Sequence, residues 1–154
     1  MATTPSPGRK SAGAKLTTLG AMWPRMMALR SRVDHEVEQA LQRQLHLGFS
    51  EFVALMSLAD RPDGELRMQE LADATSLNQS SATRLVGRLE RTGLTDERRL
   101  CEYDRRGVYT GITDTGRVTL RKAVPVYEAA LASAFDRVAA DPDYRDLIAA
   151  VDPR

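Results

Sequence analysis

The chain has 154 residues, 42% of them hydrophobic and 28% charged, with a formal net charge of +1. That length buries one core and is short for two, and the composition is that of a globular protein rather than a disordered or fibrous one. Aromatic residues at only 5% argue against stacking platforms for single-stranded nucleic acid, and the lack of any apolar run near ~18 residues argues against a membrane span.

The near-zero charge conceals a division along the chain. Residues 1–33 carry +6, residues 34–77 carry −6, residues 78–109 carry +2 and the remainder −1. All seven bases in the third block are arginines, the residue suited to bidentate contact with bases and phosphates. No secretory apolar segment opens the chain. The single cysteine, Cys101, excludes an internal disulfide and suits a reducing cytoplasm.

Residues 1–15, with Pro5, Pro7, Gly8 and Gly13 among Ser, Thr and Ala, read as a disordered basic tail. Its Arg9, Lys10 and Lys15 serve either solubility or a phosphate backbone. From Leu16 to Leu45 apolar residues recur at helical spacing for about eight turns, a stripe longer than a small domain needs for its own core. Part of it is expected to pack on a second subunit. Gly48 is the expected stop, Ser50 the expected cap of the next helix, and Arg61-Pro62-Asp63-Gly64 a turn.

A helix-turn-helix follows. Met68–Ala74 forms a short helix with Leu71 and Ala72 facing inward, Thr75-Ser76-Leu77 is the turn, and Asn78 caps a second helix running to Arg91. Ala82, Leu85, Val86 and Leu89 are its buried face. Gln79, Ser80, Ser81, Thr83, Arg84, Gly87 and Arg88 are its exposed face, short hydrogen-bonding groups early and arginines later, as expected of a helix that enters a major groove. No acid lies between Asp73 and Glu90. Gly93 ends the helix.

Leu94–Leu100 and Gly107–Ile112 read as two short strands joined by a loop carrying Asp104, Arg105 and Arg106. A hairpin directly after a helix-turn-helix makes a winged helix, with the loop placed to reach the minor groove. Thr113 caps a last long helix in which Val118, Val124, Val126, Tyr127, Leu131, Phe135 and Val138 supply the apolar face and Pro125 a kink. A short helix near Tyr144–Val151 closes the chain. The fold expected is mainly α with a small β-hairpin wing.

Six segments carry a family resemblance when taken in order: Leu47–Leu55, Met68–Ala72, Ser81–Glu90, Gly93-Leu94, Asp104–Val108 and Ile112–Arg117. With them the chain resembles the multiple-antibiotic-resistance regulator (MarR) family of bacterial transcription factors over about residues 20–138. The resemblance implies a domain spanning 16–154, in which segments 16–47 and 113–154 form a homodimer and segment 50–112 is the DNA-binding lobe. It also implies a pseudopalindromic double-stranded operator with half-sites roughly 10 bp apart, and a repressor released by a small phenolic or lipophilic effector. Gln79, Ser80, Ser81, Thr83 and Arg84 fall on the family's recognition helix, with Arg88 nearer the backbone. Asp104 and Arg106 match its Asp-x-Arg wing motif, Arg105 or Arg106 entering the minor groove; Asp104 either orients an arginine or rigidifies the hairpin. Two positions depart from the pattern: Glu102 and Tyr103 follow Cys101 where a proline is common, and Gly111 stands inside the second strand.

Trp23, Met26, Met27, His35, Phe52 and Met56 are candidates to line an effector crevice, although a methionine-rich stripe equally suits core or dimer seam. Cys101 is either an inert thiol or a redox sensor beside Arg98, Arg99 or Arg105. His35 and His46 lie roughly 16 Å apart along a helix axis, too far to share a metal. No phosphate loop, metal-ligand spacing or nucleophile elbow points to an enzyme, and no cofactor is implied. The remaining alternative is a winged helix used for protein assembly. The arginine-bearing wing argues against it, since a protein interface there calls for apolar anchors.

Overall fold

The computed structural model describes residues 15–100 and 107–151. The basic tail up to residue 14 and the segment holding Cys101, Glu102, Tyr103, Asp104, Arg105 and Arg106 lie outside the described residues. In chain order the elements are α1 (Thr18–Leu45), α2 (Phe49–Ala59), β1 (Glu65–Arg67), α3 (Met68–Ala74), α4 (Gln79–Arg91), β2 (Arg99–Leu100), β3 (Val108–Gly111), α5 (Asp114–Ala139) and α6 (Arg145–Val151). No described helix is long and apolar enough to cross a membrane.

α1 starts where Thr17 accepts a hydrogen bond from the Gly20 amide (3.0 Å). It ends two residues before the expected stop, because His46 takes the left-handed conformation (φ 52°). Gly48 is instead the N-cap of α2, so Phe49 and Ser50 already lie inside that helix and Ser50 is not its cap. With no side chain at the cap, carboxylates from elsewhere satisfy the first amides: Glu51 accepts from Gly48 N (2.9 Å) and Glu38 of α1 from Phe49 N (2.6 Å). Negative charge at a helix N-terminus also suits the helix dipole.

Only the second part of α1's apolar stripe is buried, with Leu29, Val33, Val37, Ala40 and Leu41 packed beside α5. The first part, Leu16, Leu19, Trp23 and Met26, is exposed, and so is Met27 beside it. On α5, Ala123, Ala134 and Val138 are buried, while Tyr127, Leu131 and Phe135 pack at its edge. Val118 and Val124, expected in the core, are exposed instead. The core-facing positions of α5 are taken by Ala123, Ala134 and Val138, and Val118 and Val124 fall on its outer side. Phe49, Phe52 and Tyr127 stack where α2 meets α5, the closest pair with ring centroids 4.7 Å apart. Burial pushes the Tyr127 phenol above its ordinary pKa, helped by the nearby Glu128 and Asp34 charges, so it packs as a neutral ring.

The sheet has one strand more than expected. β1 pairs with β3 (Glu65 opposite Gly111, Arg67 opposite Tyr109), and β3 pairs with β2 on its other edge. Among the described residues β2 spans Arg99–Leu100, with Thr95 bridging Ile112 upstream of it. Asp96 still donates to Gly111 O, but Arg98 turns back to α4, its Nε 2.8 Å and its amide 2.9 Å from Glu90. Gly111, which ought to weaken its strand, pairs nonetheless. A side chain there would crowd Asp96 Oδ2 and Glu65 Cγ, each 3.3 Å from the Cβ position.

α6 docks through Tyr144, Leu147 and Ile148 and is tied to α1 by charge. Arg25 pairs with Asp146 (2.8 Å) and with the Asp143 carbonyl, while Arg32 pairs with Asp141 (3.0 Å) and lies over the Tyr144 ring. The hydrogen bond from Arg25 holds the Asp146 carboxyl below the usual carboxylate range; the Asp143 amide and then Arg32 do the same for Asp141. A depressed carboxylate pKa contributes stability that is present above the unfolded value and lost as pH falls through the folded one. Amide protection in α6, relative to intrinsic exchange at the same pH, is therefore expected to fall below about pH 4, before the core opens. Asp146→Asn should remove most of that pH dependence, and a pH-independent α6 in the parent protein would contradict this account.

Candidate nucleic-acid interface

α3, the following turn and α4 form one compact unit. Leu71 and Ala72 are buried, and Ala72 O accepts the Leu77 amide across the corner. Ser76 turns the chain with φ 54°, and Leu77 packs half-buried against the core. Asn78 caps α4 by accepting the Ser81 amide (2.8 Å), which fixes where the helix begins. Ala82, Leu85, Val86 and Leu89 bury one face.

The opposite face carries the candidate reading groups. Gln79 and Ser80 are exposed at the very start, and among the described residues their side chains have no hydrogen-bond partner. Ser81 is half-buried and accepts from Arg84 Nη2 (3.2 Å). Thr83 is exposed, but its hydroxyl donates to Gln79 O (2.9 Å), leaving only lone pairs for a partner. Arg84 is exposed and pairs with no carboxylate among the described residues. Arg88 differs: its Nε sits 2.9 Å from Glu51 Oε1. Glu51 thus caps α2 with one oxygen and holds α4 with the other. Residue type alone reveals the helix-cap role, but the grip on Arg88 spans 37 residues and leaves no local signal.

The two wing strands are anchored on both sides. Arg67 donates to the Tyr109 hydroxyl (2.6 Å) and lies against its ring, and Arg99 pairs with Glu65. At the base, the Thr113 hydroxyl donates to Gly93 O (2.6 Å) and accepts from the Gly116 amide (3.0 Å). The end of α4, the return strand and the start of α5 therefore meet at one knot. The segment linking β2 to β3 contains Asp104, Arg105 and Arg106, outside the described residues.

Residues 47–107 match the model of the MarR family. The lobe is a MarR-family winged helix. Solved structures similar to the whole chain include AbsC, a MarR family transcriptional regulator from Streptomyces coelicolor, at 28% identity and a TM-score of 0.71 over 92% of this chain and 95% of that one. Sco3205 from the same organism, another MarR family transcriptional regulator and solved in complex with DNA, is 27% identical with a TM-score of 0.71, covering 92% and 88%. Sco5413, also from S. coelicolor, gives 26% and 0.65 over 85% and 87%. Among curated proteins no match is found. The chain accordingly resembles MarR-family transcriptional regulators over nearly its whole length, and residues 47–107 match the family's model.

The six residues proposed from sequence for an effector crevice fall in different surroundings. Phe52 is buried in the aromatic stack, Trp23 and Met26 are exposed on the upstream stripe of α1, and Met56 is exposed on α2. An open cleft of about 500 Å³ does lie between α1 and the start of α2. Met27 and His35 line it beside Arg30, Asp34, Glu38 and Phe49. Neither Trp23, Met26, Phe52 nor Met56 does.

Proposed function

We propose that this protein is a sequence-specific double-stranded DNA-binding regulator, a homodimeric cytoplasmic repressor that reads the major groove with α4 and the minor groove with the segment between β2 and β3. The observation that carries this reading is the outer face of α4. Among the described residues, Gln79 and Ser80 at its capped start have no side-chain partner and the arginine one turn later meets no carboxylate, and the helix carries no acid before Glu90. Short polar groups ahead of arginines suit base edges flanked by phosphates. The DNA-bound state of Sco3205, similar over nearly the whole chain, supports the same assignment. The exposed Leu16, Leu19, Trp23 and Met26 stripe suits burial against a second copy, since an apolar patch of that extent calls for a partner. Release by a small phenolic or lipophilic molecule is supported by the cleft that Met27 and His35 line.

The test is binding to duplex DNA flanking the protein's own coding region, titrated with salt and repeated with phenolic compounds. Affinity should fall steeply with salt as counterions are released. A chain that binds no duplex at low salt would instead be an assembly module. Gln79→Ala should relax preference at one base pair by about 1–3 kcal/mol. If specific and nonspecific sites lose affinity equally, Gln79 touches only the backbone.

A further inference from the structure

Gly87 stands inside α4, where glycine weakens a helix relative to alanine, and the chain's own packing does not require it. Its φ is not in the left-handed region, and a Cβ there would meet only Arg98 Nη2, 4.0 Å away. Helical spacing puts Gly87 at the middle of the outer face, opposite the buried Ala82, Leu85 and Leu89. Thr83 and Arg84 lie one turn before it and Arg91 one turn after. The outer face therefore has a notch where a side chain is missing, and an outward glycine lets another molecule approach the backbone closely. Thr83 gives the notch its chemistry. Among the exposed residues of α4 only Thr83 carries a methyl group, and its hydroxyl already donates to Gln79 O (2.9 Å). That bond restrains the side chain and uses up its donor, so the apolar branch is what it offers beyond a serine. On the major-groove edge of a base pair, the apolar feature is the 5-methyl group of thymine.

We propose that Thr83 is a specificity-determining residue that reads a thymine 5-methyl group, the base edge being received in the notch left by Gly87. That role rests on the DNA-binding function proposed above and deepens it, by assigning thymine to the base pair that Thr83 faces. Cytosine there leaves the Thr83 methyl uncovered, and a side chain at position 87 holds the base edge away. Arg84, beside Thr83, bonds Ser81 Oγ (3.2 Å) and is placed for the polar edge of a neighbouring base pair.

The probe is the duplex footprinted beside the protein's own coding region, with each thymine replaced in turn by deoxyuridine, which removes the methyl group and keeps the base pairing. In anisotropy titrations with the full-length protein, one thymine in each half-site is expected to lose about fourfold in affinity on replacement, the value of one buried methyl group. Thr83→Ser should lose a similar factor on the all-thymine duplex and become indifferent to deoxyuridine at that position. Thr83→Val, which keeps the methyl and lacks the hydroxyl, should retain both the affinity and the sensitivity. Gly87→Ala is expected to melt no lower than the parent and yet to bind the specific duplex about tenfold more weakly, with little change on a scrambled one. A parent indifferent to every deoxyuridine, a Thr83→Ser protein that stays sensitive, a Thr83→Val protein that loses what Thr83→Ser loses, or a Gly87→Ala protein of parental affinity would each overturn the assignment and leave DNA binding standing. A parent that binds no duplex overturns the DNA-binding function, and the assignment with it.

Discussion

Gly116→Ala is expected to lower the melting temperature by roughly 4–8 °C. A Cβ at this position would stand 2.1 Å from Leu94 O and 2.8 Å from the Ile112 side chain. The first of these neighbours is backbone, already accepting the Thr113 amide, so it cannot swing away as a flexible side chain would. Alanine's better helix propensity favours the change by about 1 kcal/mol, whereas overpacking against fixed backbone costs on the order of 3 kcal/mol. The clash wins. Its relief must lift the start of α5 off Leu94 and distort the knot that also fixes Thr113 and Gly93, so duplex binding should weaken as well. Gly87→Ala supplies the contrast. That glycine is inside α4 and its Cβ would meet only Arg98 Nη2, at 4.0 Å; the exchange should stabilise the helix by about 1 kcal/mol. Thermal melts of both variants decide the matter, and a Gly116→Ala protein as stable as the parent would show that α5 does not need this close approach.

Much of the fold was legible because its signals are local. Asn78, Thr113 and the apolar spacing of Ala82, Leu85, Val86 and Leu89 define helix ends and faces through contacts within a turn or two. β1 was not legible: three residues, Glu65–Arg67, are too few to show a period of two, and they form a strand only because β3 lies alongside. The start of β2 at Arg99 also has a distant origin, since Arg98 is drawn off by Glu90 on a preceding helix. At the site, the exposed face of α4 could be read from helical periodicity, but not the state of each group on it. That Arg88 is held by a carboxylate, while Arg84 meets none among the described residues, depends on Glu51, far away in sequence. For the effector candidates the sequence says less: Trp23, Met26, Phe52 and Met56 share a chemical type, and type does not say that Phe52 turns inward onto Tyr127 while Trp23 stays outside.

That difference between the arginines sets up the most informative DNA-binding experiment. Arg84→Ala is expected to cost about 1–3 kcal/mol of specific affinity, the value of a good arginine–base pair, because its side chain gives up only a hydrogen bond to Ser81 Oγ on meeting DNA. Arg88→Ala should cost less in binding, since Arg88 must first leave Glu51, and it should instead loosen the link between α4 and α2. Arg106→Ala, in the segment between β2 and β3, is expected to weaken binding severely with the dimer intact. If it reads the minor groove, the loss is concentrated on the specific site. If it meets phosphate alone, specific and nonspecific affinity fall together and the salt slope drops by about 1. Anisotropy titrations of the three variants on one specific and one scrambled duplex, at two or more salt concentrations, separate these cases. Arg84→Ala and Arg106→Ala proteins that bind like the parent would remove α4 and the wing from the interface together.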